Sequence, residues 1–132
     1  MNRKTRAAGL PPSATPFEKI LTELSHLGAF QAAILATSDG LPIATSPSSL
    51  DAQLTAAMVA VLRKASKDAR AELGMGDLDE VSLYDRDRTR LVCRFFSVDK
   101  EELILALLVA DGARYRRVSA QAIHQIQEAW QN

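Results

Sequence analysis

Residues 30–46 read FQAAILATSDGLPIATS, and the rest of the fold follows from them. Phe30 to Thr37 is apolar at nearly every position, the composition of a strand covered on both faces. Ser38-Asp39-Gly40 is a tight turn, since glycine accepts the positive φ that hairpin loops require. Leu41 to Ser46 returns as a shorter strand. Its Pro42 has no N–H to give a ladder, so this strand belongs at a sheet edge. Downstream, Asp79 to Asp85, Arg90 to Val98 and Glu102 to Ala110 read as a three-strand meander, joined by the polar turns at 85–88 and 99–101. The last of these, with LILALLVA over residues 103–110, is again apolar on both faces. The third strand alternates Val81 and Leu83 with Glu80 and Ser82, as an edge strand does. Placing the fifth strand beside the first gives an antiparallel five-stranded sheet in the order 2-1-5-4-3, which respects every hairpin.

Three helices surround these strands. Thr15-Pro16-Phe17-Glu18 opens the first with a capping hydroxyl, a proline at the first helical position and a glutamate that can reach back. Ile20, Leu21, Leu24 and Leu27 form its apolar face, and Gly28 is placed to end it in the left-handed conformation. Pro47 to Ser49 forms a loop, and Ser48, with Asp51 three residues on, is the expected cap of a long helix that runs to Leu73 and closes at Gly74. Along it Leu50, Leu54, Ala57, Met58, Val61, Leu62, Ala65, Ala69 and Leu73 cover about half the circumference, wider than a one-sided helix needs. Such a helix should have two neighbours. Asp111 is the expected cap of the last helix, whose face is Tyr115, Val118, Ala122, Ile126 and Trp130. The whole reads as an α/β (α+β) three-layer sandwich, with the long helix on one face and the two others on the opposite face.

A chain of 132 residues suits one domain. Residues 1–14, basic and with Pro11 and Pro12, read as a disordered leader or a short basic arm, leaving 15–132 as the folded unit. The 16 basic residues cancel the 16 acidic ones, so no general electrostatic case exists for nucleic acid or an anionic membrane. No apolar run approaches the roughly 20 residues of a membrane span. Cys93 is the only cysteine, which fits a reducing compartment, and a cytoplasmic protein is expected.

A search for catalytic groups comes out nearly empty, and neither cofactor nor metal is expected. His26 and His124 have no ligand at i+3 or i+4, and a metal needs three or four converging donors, so helix-surface histidines are the plainer reading. Cys93 and Arg94 alternate to opposite faces of a strand, which favours a buried structural thiol over an activated one. Gly74-Met75-Gly76 follows a helix instead of opening one and lacks a following Lys-Ser/Thr, so it terminates a helix rather than cradling a phosphate. Asp85, Asp87 and Asp99 are turn formers. Arg114, Arg116 and Arg117 are either a solvated face or a contact for an acidic partner. Arg63, Lys64, Lys67 and Arg70 border the long apolar stripe, either as solubilising charge or as the rim of an interface.

The two sheet edges differ. Pro42 blunts one, whereas the third strand leaves an unpaired backbone rim. A bare edge beside an overly wide apolar helix is what a twofold dimer needs. The expectation is a homodimer with a continuous ten-stranded sheet through residues 79–85, in which Asp79 and Glu80 approach Arg86 and Arg88 of the partner subunit.

The element order, the hairpin Ala33-Ile34-Leu35-Ala36-Thr37-Ser38-Asp39-Gly40-Leu41-Pro42-Ile43-Ala44, the alanine-rich long helix and the strand Leu103 to Val109 together resemble the Roadblock/LC7 domain family. That family includes MglB proteins and dynein roadblock light chains, and the resemblance covers about residues 17–130. It implies a homodimer or paralogue heterodimer whose seam draws on Leu54, Met58, Val61, Leu62, Val81, Leu83 and Tyr84. It also implies a Ras-like small GTPase as partner, docked on Val59, Arg63, Lys67 and Arg70. MglB-like members act as GTPase-activating proteins by remodelling the GTPase, without inserting an arginine, which suits a chain lacking catalytic groups. A dimeric scaffold or light chain, tethering other proteins without affecting nucleotide turnover, is the competing expectation. A profilin-like or PAS-like sensor ranks last, because these close-packed aliphatic strands offer few convergent polar groups for a small molecule.

Overall fold

The computed structural model describes residues 15–47 and 49–131, so the leader and the Ser48 cap lie outside the described residues. The chain runs α1 (Thr15–Gly28), β1 (Ala32–Thr37), β2 (Pro42–Ser46), α2 (Ala52–Leu73), β3 (Glu80–Tyr84), β4 (Arg90–Val98), β5 (Glu101–Val109) and α3 (Arg116–Gln131). All strand pairs are antiparallel, in the order β2-β1-β5-β4-β3. The doubly apolar strands β1 and β5 are central, as their composition requires, and Pro42 sits on an edge strand.

Alternation along the strands sorts their side chains onto two unequal cores. On one face, Leu35, Val92, Leu103, Leu105 and Leu107 meet Phe17, Leu21 and Leu24 of α1 and Ala122, Ile126 and Trp130 of α3. The Phe17 and Trp130 rings pack edge to face at 5.7 Å, joining the two helices over the sheet. The opposite face is smaller: Ile34, Ala36, Cys93, Ile104 and Ala106 meet Ala56 and Val59 of α2, with the half-buried Leu62 packed against them. The three-layer sandwich is therefore thick on the α1/α3 side and thin on the α2 side.

Three helix ends differ from the sequence reading. Phe30 N–H reaches the Ser25 carbonyl at 2.9 Å, and the left-handed residue closing α1 is Ala29 (φ 54°), not Gly28. Gly28 is needed for space, because a Cβ there would lie 2.2 Å from the Phe30 ring. At α2 the cap is Asp51, whose carboxylate accepts from Leu54 N–H at 3.1 Å. At α3 the first intrahelical bond runs from Ser119 N–H to the Tyr115 carbonyl, leaving Asp111 a full turn too early to cap. Gly74 does close α2 as expected, in the left-handed region at φ 70°.

α2 packs mainly on β1 and β2, at the far side of the sheet from β3. Close approach there depends on small groups, with Gly40 of the hairpin turn set against Ala57 and Ala60. The hairpin itself is tied by Thr37, whose hydroxyl donates to Asp39 and accepts from Leu41 N–H.

Candidate functional site

The outer face of α2 is the first unusual surface. Leu54, Met58 and Val61 stand 57%, 64% and 69% exposed, one above another at helical spacing. Leu62 is half-buried and turned toward the sheet. Val59, expected on a partner-facing platform, is 3% exposed and packed in the smaller core, so it cannot meet a partner directly. The helix turns Ala56, Val59 and Leu62 inward and Leu54, Met58 and Val61 to water.

The β3 edge is the second. Among the described residues no strand lies beyond it. Val81 is half-buried and Leu83 half-exposed on the α2 face, and Tyr84, also half-exposed, points to the opposite face with Glu80 and Ser82. The seven expected seam residues thus divide between two faces of the sheet and one helix.

Glu80 occupies an intrachain polar cluster that the sequence reading did not include. Within its own chain its carboxylate accepts from Arg116 at 3.1 Å and from the Tyr115 hydroxyl. Arg94, the strand neighbour of Glu80, donates to Ser119 Oγ at 2.7 Å and to the Arg116 carbonyl. Burial first, and then the Glu80 carboxylate that accepts its proton, push the Tyr115 phenol above its usual range. So of the three arginines near the start of α3, Arg116 has its acidic partner within its own chain. The missed signal was pairing across the sheet: Glu80 and Arg94 are register partners on the α3 side, a relation visible only once β3 and β4 are aligned.

Tyr84 carries two guanidinium groups on its ring, Arg88 at 4.2 Å and Arg90 at 4.9 Å. Arg90 also donates to the Tyr84 hydroxyl at 2.6 Å and lies 4.5 Å over the Tyr115 ring, linking this stack to the Glu80 cluster.

The basic flank of α2 is the third surface. Arg63 pairs with Glu102 of β5, and Arg70 pairs with Asp77 at 2.9 Å. Lys67 lies between them in a cleft of about 220 Å³ that Leu78, Phe95 and Ser97 also line. Lys64 points away, near Asp68. The sequence grouped these cations correctly along one helix, and the structure brings Arg63, Lys67 and Arg70 together while committing the two arginines to internal acids.

The remaining candidates are structural. Cys93 is fully buried, and burial followed by the Glu80 charge pushes its thiol up to about 12. His124 is exposed beside Glu128, and among the described residues no group of histidine, cysteine and acidic side chains could hold a metal. Nor is any helix among them long and apolar enough to cross a membrane.

Comparison with known proteins agrees with this geometry. MglB of Myxococcus xanthus superposes with a TM-score of 0.76 at 12% identity, covering 91% of both chains. MglB of Thermus thermophilus gives 0.75 at 14% identity over 96% of this chain and 98% of that one. A Roadblock/LC7 domain of Streptomyces avermitilis gives 0.64 at 20% identity, over 86% of this chain and 91% of that one. In sequence, the uncharacterized protein MJ0310 of Methanocaldococcus jannaschii is 32% identical over 92 residues, 69% of this chain and 76% of that protein. Residues 16–95, from the start of α1 into β4, match the Roadblock/LC7 domain. With its helix–hairpin–helix–meander–helix order and its bare β3 edge, this chain belongs to the Roadblock/LC7 domain family.

Proposed function

We propose that the chain works as a symmetrical dimer that binds a Ras-like small GTPase and regulates it without contributing a catalytic group. The observation that carries this reading is the apolar row Leu54, Met58 and Val61, left more than half exposed on α2. Three large apolar side chains stacked on one helix face mark an interaction surface more often than a solvated one. Family membership supports the dimeric reading, and one MglB protein of the same fold was solved in a tetrameric arrangement. Leu54, Met58, Val61, Val81, Leu83 and Tyr84 form the seam. The GTPase docks on the basic flank, through Arg63, Lys67 and Arg70, with Lys67 the one of these three that has no ion pair among the described residues. Regulation proceeds by reshaping the GTPase's own machinery, in the MglB manner.

The direct test adds the protein to a cognate Ras-like GTPase loaded with GTP and follows phosphate release. Acceleration by tenfold or more is expected, with Lys67→Glu losing most of it while remaining a dimer. Binding with an unchanged rate would favour the tethering light-chain reading. Absence of binding in a pull-down would overturn the GTPase assignment.

A further inference from the structure

α2 changes character halfway along the face it turns to the sheet. At about 100° per residue, Ala56, Val59, Arg63, Lys67 and Arg70 fall within about 80° of one another. In the first half of that stripe Ala56 and Val59 are buried in the smaller core. In the second half the stripe is cationic, and Arg63, Lys67 and Arg70 all line the cleft of about 220 Å³. Phe95 and Leu78, both half-buried, give the same cleft an apolar wall. Helices ordinarily fill such a stripe with aliphatic side chains, because a cation turned toward a sheet loses hydration that something must replace.

The chain replaces it only in part. Arg63, whose side chain is 14% exposed, pairs with Glu102, and Arg70 pairs with Asp77 at 2.9 Å. Lys67 has no ion pair among the described residues. Three cations against two carboxylates leave one positive charge at the cleft. A monoanion completes the set, whereas a dianion would set its second charge against Glu102 and Asp77. Each guanidinium carries five N–H donors, so pairing with one acid leaves others for a ligand. Size narrows the choice further. The cleft holds the volume of about seven water molecules, at roughly 30 Å³ each, and falls below the roughly 300–1,000 Å³ of pockets for drug-sized ligands. None of the seam residues Leu54, Met58, Val61, Val81, Leu83 and Tyr84 lines it.

We infer that this cleft is a binding site for a small free monocarboxylate with a compact apolar body, of branched-acyl or aryl size. The carboxylate takes up the charge of Lys67 between the spare donors of Arg63 and Arg70, and the body lies on Phe95 and Leu78. Convergent polar groups over an apolar wall are the common design of small-molecule sites. The site needs neither a GTPase nor a second copy of the chain.

The test titrates sodium benzoate into the nitrogen-15-labelled full chain at constant ionic strength and follows its amide resonances. Saturable shifts are expected at Lys67, Leu78 and Ser97, with a dissociation constant of about 1 mM or below. Lys67→Gln should weaken binding tenfold or more. Lys64→Gln removes the same charge from the side of α2 that points away, beside Asp68, and should stay within about twofold of wild type. Benzamide, the neutral counterpart of benzoate, should bind at least tenfold more weakly. Inorganic phosphate and a glutamate blocked at both ends should each bind at least fivefold more weakly than benzoate. No saturable shift by about 20 mM benzoate, equal losses in the two lysine variants, or benzamide binding as well as benzoate would overturn the site. Tighter binding of phosphate would overturn the monocarboxylate class, and tighter binding of the blocked glutamate would replace the free ligand with a partner protein's acidic side chain. Failure of GTPase binding would leave all these readouts unmoved, so the two readings fall separately.

Discussion

Cys93 shows what a single residue can and cannot reveal before folding. Its alternation with Arg94 correctly separates thiol from guanidinium, and it lies fully buried among Ile34, Ile104 and Ala106. Two consequences follow. The native protein should leave this thiol unreacted with a disulfide reagent at pH 8, whereas the urea-unfolded chain reacts at once. The thiol is pushed from 9.0 up to about 12, so the folded state keeps its proton where the unfolded chain releases its own. Its contribution to stability is complete below about pH 9 and declines as pH rises toward 12, by up to about 1.4 kcal/mol per pH unit. Urea midpoints measured from pH 8.5 to 10.5 should fall more steeply in the wild type than in Cys93→Ala; parallel slopes would refute the linkage. Other single residues were less legible. Gly28 looks like a left-handed cap because glycine usually serves as one, yet its role is to admit the Phe30 ring, a contact no local pattern encodes. Arg116 looks like a solvated charge until the β3–β4 register brings Glu80 beneath it.

At the level of elements, α2 is where sequence reading succeeds in width and fails in phase. The breadth of its apolar arc is matched by apolar side chains on both its sheet face and its outer face. The phase is misread at Val59, expected on the partner-facing platform: the core takes Ala56 and Val59, while Leu54, Met58 and Val61, expected at a seam, do face water. The sheet-facing side is filled by Ala56, Val59 and Leu62, and Gly40 of the hairpin turn lies against Ala57 and Ala60. This phase makes a sharp pair of expectations. Met58→Lys should leave the far-ultraviolet spectrum unchanged and weaken dimerisation about tenfold or more, roughly the 1.4 kcal/mol that burying part of a methionine supplies. Val59→Lys should abolish cooperative unfolding, because it drives a charge into a core with no partner for it. If the two variants behaved alike, either both folded or both unfolded, the assigned phase of the helix would be wrong. The strands, by contrast, were readable almost throughout. Pro42 and the two doubly apolar strands allow only one order, because edge and centre impose opposite demands on composition.

For the whole molecule, the decisive feature is unequal cover. One sheet face lies under two helices whose aromatic rings interlock, while the other lies under one helix displaced toward β1 and β2. Over β3 and β4 on that side, Val81, Leu83, Leu91 and Phe95 are all at least partly open. On the proposed dimeric reading, a subunit built this way completes its apolar burial against a second copy, so its folding free energy should depend on concentration. For a dimer unfolding to two chains, each tenfold rise in concentration contributes about 1.4 kcal/mol per dimer. Against the unfolding entropy of a pair of chains this size, that raises the thermal midpoint by about 2–4 °C. Scans from 0.5 to 50 µM should therefore show the midpoint climbing by about twice that amount. Leu83→Lys, which charges the open edge without touching either core, should flatten the dependence and settle at or below the dilute wild-type value. A midpoint independent of concentration in the wild type would mean that the thin face is stable in water alone, and that the apolar row on α2 serves a different partner.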